Sequence, residues 1–159
     1  AFGVVGGYIA ADDVICDVVR SFGSGFIFTT ALPPALAHGA LASVQYLQSS
    51  GAERARQQTQ ANRLKQKLRD AGLPLLEGDT HIVPVMVNNA DICSLICQIL
   101  LNERHIYVQP INYPTVPKGT ERLRLTPGPF HTDAMIDDLV DALQMTFERV
   151  AAETIQQTG

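Results

Sequence analysis

Apolar residues recur at helical spacing in five segments of this chain. An acidic first turn followed by valine and isoleucine predicts a short helix over residues 12–23, and an alanine-rich segment predicts a longer one from Pro33. A thin apolar stripe in the polar segment 51–72 predicts a third helix. Two more helices are expected over residues 91–102 and from Thr132 onward, with Thr132 suited to be an N-cap. The apolar positions at this spacing are Val14, Ile15, Val18 and Val19; Leu36, Leu41, Val44 and Leu47; Ala55, Ala61, Leu64 and Leu68; and Met135, Ile136, Leu139, Leu143 and Phe147. Ile92, Leu95, Ile96 and Ile99 are the predicted core face of their helix.

Short apolar or alternating runs between these helices predict strands. The runs are "GFIFTT", "HIVPVMV", "HIYVQPI" and "ERLRLTP", and the opening "AFGVVGGYIAA" is interpreted as a strand or turn. The last three strands with their flanking helices predict an α+β lobe.

Composition narrows the class of protein. The chain has 159 residues, 46% of them hydrophobic, which suits one compact domain or the last part of a larger protein. A net charge of −4 with scattered Lys and Arg disfavours nucleic acid as a partner. No apolar run is long enough to cross a bilayer and no signal peptide is visible, so we expect a soluble protein without a membrane span.

The cysteines and histidines do not form a metal-binding pattern. Cys16, Cys93 and Cys97 lie in apolar helical segments, so we expect buried thiols in a reducing compartment. The histidines are scattered and are interpreted as surface or packing residues. No metal site is therefore predicted.

The segment "INYPTVPKGTERLRLTP" has the most informative polar pattern. A period of two places Arg122, Arg124 and Thr126 on one face of the predicted strand. Two interpretations stay open: solvated arginines on a half-exposed strand, or a guanidinium that binds a carboxylate through two parallel hydrogen bonds. Prolines and Gly119 in the preceding loop would allow it to close over a ligand.

Thr29 and Thr30 place adjacent hydroxyls just before the alanine-rich helix. Such hydroxyls suit phosphate oxygens near a helix N-terminus. They could equally cap the helix that begins at Pro33.

Three motifs resemble a known family. The segments "AFGVVGGYIAA", "SFGSGFIFTTALPPA" and above all "YVQPINYPTVPKGTERLRLTPGP" closely resemble the pyridoxal-phosphate-dependent α-oxoamine synthases, and within them the 5-aminolevulinate synthase family. The resemblance extends from Ala1 to about Val150. It implies an α/β fold of the type I pyridoxal-phosphate-dependent transferases. Residues 1–50 would be the end of the large domain with the start of the long helix, and residues 51–159 a small α+β domain with a short antiparallel sheet.

The same resemblance implies a reaction, a cofactor and binding residues. The family joins glycine to succinyl-CoA with loss of CoA and carbon dioxide, the first step of haem and tetrapyrrole biosynthesis, in a homodimer that uses pyridoxal 5'-phosphate at its subunit interface. Thr29 and Thr30 match the pair that contacts the cofactor phosphate from the neighbouring subunit. Arg124 matches the arginine that holds the glycine carboxylate, and Thr115 matches the lid residue that contacts the succinyl carboxylate. Arg122 has no family role and is expected to pair with a nearby acid.

The family's cofactor lysine would lie immediately before Ala1, so the chain alone is expected to be inactive and to contain no catalytic residue. Lys65 and Lys67 are interpreted as positions on a polar helix face, and Lys118 as part of the loop. Two alternatives stay open: another α-oxoamine synthase with a different acyl-CoA, and a non-catalytic α+β dimerisation or binding module. A bacterial cytoplasm is the expected location, with the mitochondrial matrix as the alternative.

Overall fold

The computed structural model describes residues 2–158 and the side chains of residues 2–153. The chain forms two compact units, Ala1–Gly51 and Ala52–Gly159, called unit 1 and unit 2 below. The interpretation of these units as parts of a large and a small domain remains a prediction.

Unit 1 consists of three helices: α1 (Asp13–Phe22), α2 (Ser24–Ile27) and α3 (Pro34–Ser49). The predicted strand "GFIFTT" is wrong, because Ser24–Ile27 form one helical turn. Gly23 explains the change: its N–H donates to Val19 O (2.8 Å), while its own carbonyl accepts from Phe26 and Ile27 N–H (2.9 Å each). A Cβ at Gly23 would lie 2.6 Å from Val19 O, so only glycine fits where α1 ends and α2 begins.

No side chain is buried among residues 2–51. The helix predicted over residues 12–23 is confirmed, but its apolar face is not covered: Val14, Ile15 and Val18 are 74%, 53% and 51% exposed. On α3, Leu41 and Val44 are also exposed. The helical pattern is correct in unit 1, and none of these apolar positions is buried.

Unit 2 alternates helices and short strands: α4 (Ala52–Asp70), β1 (Val83–Met86), α5 (Ala90–Arg104), β2 (Gln109–Ile111), β3 (Arg122–Leu125) and α6 (Asp133–Thr158). All six were predicted. Asn89 caps α5 by accepting from Ile92 N–H (3.0 Å). Thr132 begins α6 as expected, since its hydroxyl accepts from Met135 N–H (3.2 Å).

The three strands of unit 2 form an antiparallel sheet in the order β1-β3-β2. Leu123 and Leu125 of the central strand are buried, at 0% and 4% exposure, and α5 packs against this strand and against α6. Of the predicted core face of α5, Leu95 is instead exposed, and the apolar positions Ala55 and Met135 are exposed as well. The fully buried side chains of this core include Leu64, Leu68, Val83, Val85, Cys93, Ile96, Leu100, Leu123 and Leu143.

Candidate functional site

A cleft of about 560 Å³ lies in unit 2 between the end of α5, the strands β2 and β3, and the start of α6. Its apolar lining includes Ile106, Val108 and Leu139. Its charged and polar lining consists of Arg104, His105, Tyr107, Gln109, Arg124, Thr126, His131 and Asp138. A cleft with apolar walls and a few polar groups is the usual form of a small-molecule site.

Arg124 lies on the polar face of the central strand, where its cross-strand neighbours are Pro84 and Gln109. It is exposed and lines the cleft, and its guanidinium makes no hydrogen bond or ion pair with any residue in the described part of the chain. In contrast, Arg69 and Arg149 bind carboxylates at 2.7 and 2.9 Å. An arginine whose guanidinium lacks a protein partner at a cleft is suited to bind an anionic ligand.

Arg122 occupies the other polar position of this strand. Its Nε donates to Thr120 O at 2.9 Å, and no ion pair joins it to an acid within residues 2–158. The expected pairing with an acid is therefore replaced by a bond to the backbone. This contact holds β3 to the end of the preceding loop.

Thr115 lies in that loop, which is folded on itself. The Thr115 N–H donates to Asn112 O (3.0 Å), and Thr120 Oγ1 donates to Pro117 O (2.7 Å). The Lys118 ammonium lies 5.3 Å from the centre of the Tyr113 ring. Thr115 is exposed and is not part of the lining of the cleft that contains Arg124.

A buried acid anchors the end of this loop and was missed in the sequence. Glu121 is 3% exposed, and its carboxylate accepts from Gly119 N–H (2.9 Å). Gly119 has a φ of +81°, a conformation that favours glycine. The period of two along β3 places Glu121 on the same side as the buried Leu123 and Leu125. This spacing was the signal in the sequence that could have predicted the burial of Glu121.

Thr29 and Thr30 lie in unit 1, between α2 and α3, and are exposed. The N-cap of α3 is Pro33, with no side-chain hydrogen bond, so the threonines do not cap this helix. Neither hydroxyl bonds to another described residue. Uncommitted hydroxyls ahead of an uncapped helix N-terminus fit phosphate oxygens.

Each of the three lysines contacts another residue of the chain, and the contacts of Lys65 correct a prediction. Lys65 is not on a polar face: it is 6% exposed, and its ammonium donates to Gly78 O (2.6 Å) and Thr80 O (2.7 Å). Lys67 Nζ pairs with Asp137 at 2.8 Å. Lys118 contacts Tyr113, as described above. Sequence periodicity alone could not reveal the carbonyls that surround Lys65.

The thiols of unit 2 are buried, as predicted. Cys93 and Cys97 are 0% and 9% exposed and form no disulfide. Burial raises the pKa of Cys97 to about 12, and it raises the pKa of Cys93 as well. No group of three or more metal-binding side chains occurs in the described residues, and no helix within residues 2–158 is long and apolar enough to cross a membrane.

Comparison with known proteins identifies the class. Residues 1–143 match the family described as Aminotransferase class I and II, and the chain belongs to this family. It is 51% identical over 158 residues to 5-aminolevulinate synthase of Bradyrhizobium diazoefficiens, an alignment that covers 99% of this chain and 39% of that protein. It is 56% identical over 151 residues to the enzyme of that name from Rhizobium meliloti, covering 95% and 37%. The mitochondrial 5-aminolevulinate synthase of Schizosaccharomyces pombe is 49% identical over 144 residues, covering 90% and 26%.

Solved structures confirm the predicted fold class. A structure of SPT with PLP as its internal aldimine matches 94% of this chain and 38% of that chain, with a TM-score of 0.82 and 30% identity. The 8-amino-7-oxononanoate synthase of Francisella tularensis matches 96% and 44%, with a TM-score of 0.74 and 27% identity. The predicted resemblance to the 5-aminolevulinate synthases is confirmed, and the chain spans about 39% or less of the length of the three relatives named above.

Proposed function

We propose that this chain is the C-terminal part of a 5-aminolevulinate synthase, which condenses glycine with succinyl-CoA. The observation that carries the proposal is Arg124, a guanidinium without a protein partner on the wall of a cleft in the described part of unit 2. The sequence identity of about half over nearly the whole chain supports the same activity.

The proposed reaction forms one carbon–carbon bond and breaks two bonds. The α-carbon of glycine bonds to the succinyl carbonyl carbon, the thioester C–S bond breaks to release CoA, and the glycine carboxylate leaves as carbon dioxide. Arg124 would hold that carboxylate through a two-point ionic hydrogen bond, which fixes the direction of the bond to be broken. Thr115 would bind the succinyl carboxylate from the loop, whose closure would exclude water.

Pyridoxal 5'-phosphate is the proposed cofactor, and it supplies an electron sink for the substrate α-carbon when bound. The exposed hydroxyls of Thr29 and Thr30, which do not cap α3, support their proposed role at its phosphate. The family's reactive lysine is not assigned to Lys65 or Lys67, because both already have bonded partners.

We further propose a homodimer in which Thr29 and Thr30 serve the site of the neighbouring subunit. Support comes from the exposed apolar face of α1, since surfaces of this kind mark protein interfaces. The bacterial cytoplasm is the proposed location, supported by the bacterial relatives. The mitochondrial matrix is the alternative, because the fission yeast relative is named mitochondrial.

The experiment is an activity assay of the full-length protein that contains this chain, loaded with pyridoxal phosphate. Glycine is supplied with either succinyl-CoA or acetyl-CoA, and CoA release and the amino ketone product are measured. We expect product with succinyl-CoA and much less with acetyl-CoA. A preference for acetyl-CoA would instead indicate another α-oxoamine synthase, and absence of turnover with both would favour a non-catalytic binding module.

Arg124 provides the sharpest mutational test. We expect Arg124→Gln in the full-length protein to raise the KM for glycine at least about tenfold, because an ionic hydrogen bond to the carboxylate is lost. Arg124→Lys should give a smaller increase, since it keeps the charge but loses the planar fork. Arg122→Lys is the matched control, and its KM should stay within about twofold because Arg122 does not line the cleft. An unchanged KM in Arg124→Gln would reject the assignment.

A further inference from the structure

His131 closes a turn that follows the strand carrying Arg124. Its Nδ1 accepts from the Gly128 N–H at 2.7 Å, and its own backbone N–H donates to Gly128 O at 3.2 Å. The turn comes four residues after Arg124 along the chain. Both His131 and Arg124 line the cleft of unit 2, together with Thr126 and Pro127 between them.

The other end of this turn is fixed to helix α4. Gln60 is 7% exposed, and its side-chain amide donates to His131 O (2.7 Å) and to the Asp133 carboxylate (3.1 Å). The turn therefore bridges the end of β3 and the start of α6. Because Arg124 has no side-chain partner among the described residues, its guanidinium is positioned by its backbone and by the walls of the cleft.

The bond to Gly128 specifies the protonation state of His131. A backbone N–H can only donate, so Nδ1 must be unprotonated and the ring proton lies on Nε2. In the doubly protonated ring both nitrogens are donors, and Nδ1–H would then face the Gly128 N–H. The bond exists only with neutral His131.

We propose that His131 is a positioning residue for the substrate carboxylate, which it controls through the turn that follows Arg124. This inference rests on the proposed function of Arg124 and deepens it. Neutral His131 holds the turn, and the turn holds the end of β3, so that Arg124 meets the carboxylate in the orientation for two parallel hydrogen bonds.

Other ionisable groups line the same cleft as His131: Arg104 and His105 at the end of α5, Tyr107 after it, Arg124 on β3 and Asp138 on α6. Asp133, which follows the turn, pairs with Arg63 of α4 (3.4 Å).

The first test compares three substitutions in the full-length protein loaded with its cofactor. In His131→Asn the amide oxygen replaces Nδ1 as an acceptor, whereas His131→Gln cannot place its amide there and His131→Ala has none. We expect the Kd and KM for glycine to rise roughly threefold to tenfold in the Ala and Gln variants, with a small change in kcat, as the loss of one neutral hydrogen bond predicts. His131→Asn should stay within about twofold of the wild type.

Phe130→Leu serves as the matched control, because Phe130 is the exposed neighbour of His131 and is 80% exposed. Thermal unfolding of every variant shows whether it is folded. Equal Kd values in wild type and His131→Ala, or an Asn variant as weak as the Ala variant, would overturn the proposal.

The second measurement is the Kd for glycine alone, taken at one pH for the wild type and all variants. Binding is measured without an acyl donor, so failure of this test is distinct from failure of the proposed reaction, which is judged by turnover with succinyl-CoA.

Discussion

At the scale of single residues, polar groups in the described chain fall into those that have protein partners and those that lack them. Lys65 and Glu121 are buried and bonded to backbone groups, and they hold segments of unit 2 in place. Arg124 is exposed and unpartnered within residues 2–158, at the wall of the cleft. This difference separates groups that stabilise the fold from a group available to bind a ligand.

Lys65 allows the structural role to be measured. We expect Lys65→Met to lower the free energy of unfolding by about 1–2 kcal/mol, because Gly78 O and Thr80 O lose a charged donor while the aliphatic stem keeps its packing. Urea unfolding of this chain measures the change. Lys118→Met is the matched control: Lys118 is exposed, so its replacement should alter the free energy by at most about 0.5 kcal/mol. Equal effects of the two substitutions would contradict the role of Lys65.

The sequence predicted some of these residues and not others for a physical reason. The alternation of β3 placed Arg124 on a polar face because side-chain direction in a strand depends only on local spacing. Lys65 and Gln60 lie in a polar helix, and their partners are a turn 13–15 residues later and the His131 carbonyl 71 residues later. Local pattern contains no information about such distant partners.

At the scale of elements, α4 and α6 are joined by a group of charged side chains. Asp137 of α6 accepts from Arg63 (3.0 Å) and pairs with Lys67 (2.8 Å), both from α4. The hydrogen bond from Lys67, with that from Arg63, outweighs desolvation and lowers the pKa of Asp137. The charged form of Asp137 therefore stabilises the packing of these helices.

The pH dependence of this contact follows from the direction of the pKa shift of Asp137. A carboxylate whose pKa is lower in the folded state than in the unfolded state makes its full contribution to the stability of the fold above its unfolded pKa, about 3.9 for aspartate. It loses this contribution as the pH falls further. We expect Asp137→Asn to unfold at lower urea concentration than the wild type at pH 7. The difference should shrink as the pH falls below about 3.9.

Asp141→Asn provides the comparison, since Asp141 lies on the same helix and has no ion pair with the described residues. Its unfolding midpoint should match that of the wild type at pH 7 and at pH 3. A difference between Asp137→Asn and wild type that stays constant from pH 7 to pH 3 would show that charge is not the cause.

The strand predicted for the run "GFIFTT" is wrong because neighbouring residues decide whether this run forms a helix or a strand. The run "GFIFTT" has too few residues for its period to distinguish helix from strand. In the structure Gly23 provides the carbonyl that starts a helical turn, and within residues 2–51 no strand is present to pair with the run. In unit 2, leucine alternates with arginine along β3, and the strands that pair with it, β1 and β2, are present in the same unit.

At the scale of the whole molecule, the two units differ in how their apolar residues are covered. Unit 2 has a continuous core behind its sheet, whereas residues 2–51 contain no buried side chain. The hydrophobic pattern predicted an apolar face on α1 correctly, but a pattern does not specify which surface covers that face. Burial could therefore be predicted for much of unit 2 and not for unit 1.

The reactivity of the cysteine thiols can be measured separately in each unit. Cys16 in unit 1 is half-buried, while Cys93 and Cys97 are in the core of unit 2. With a pKa of about 12, the thiol of Cys97 is only about one part in ten thousand thiolate at pH 8, and thiolate is the reactive form. Burial adds a steric barrier for both core thiols. In this chain we expect iodoacetamide at pH 8 to label Cys16 in the native state and the other two cysteines only as unit 2 unfolds.

Mass spectrometry of the labelled peptides over a urea series measures this order. Labelling of Cys93 and Cys97 should rise together, because both thiols belong to one core and become accessible in one cooperative transition. In full denaturant all three cysteines should react at similar rates, which controls for intrinsic reactivity. Native labelling of Cys97 as fast as that of Cys16 would mean that the core of unit 2 opens without global unfolding, since a buried thiol reacts only when water and reagent reach it.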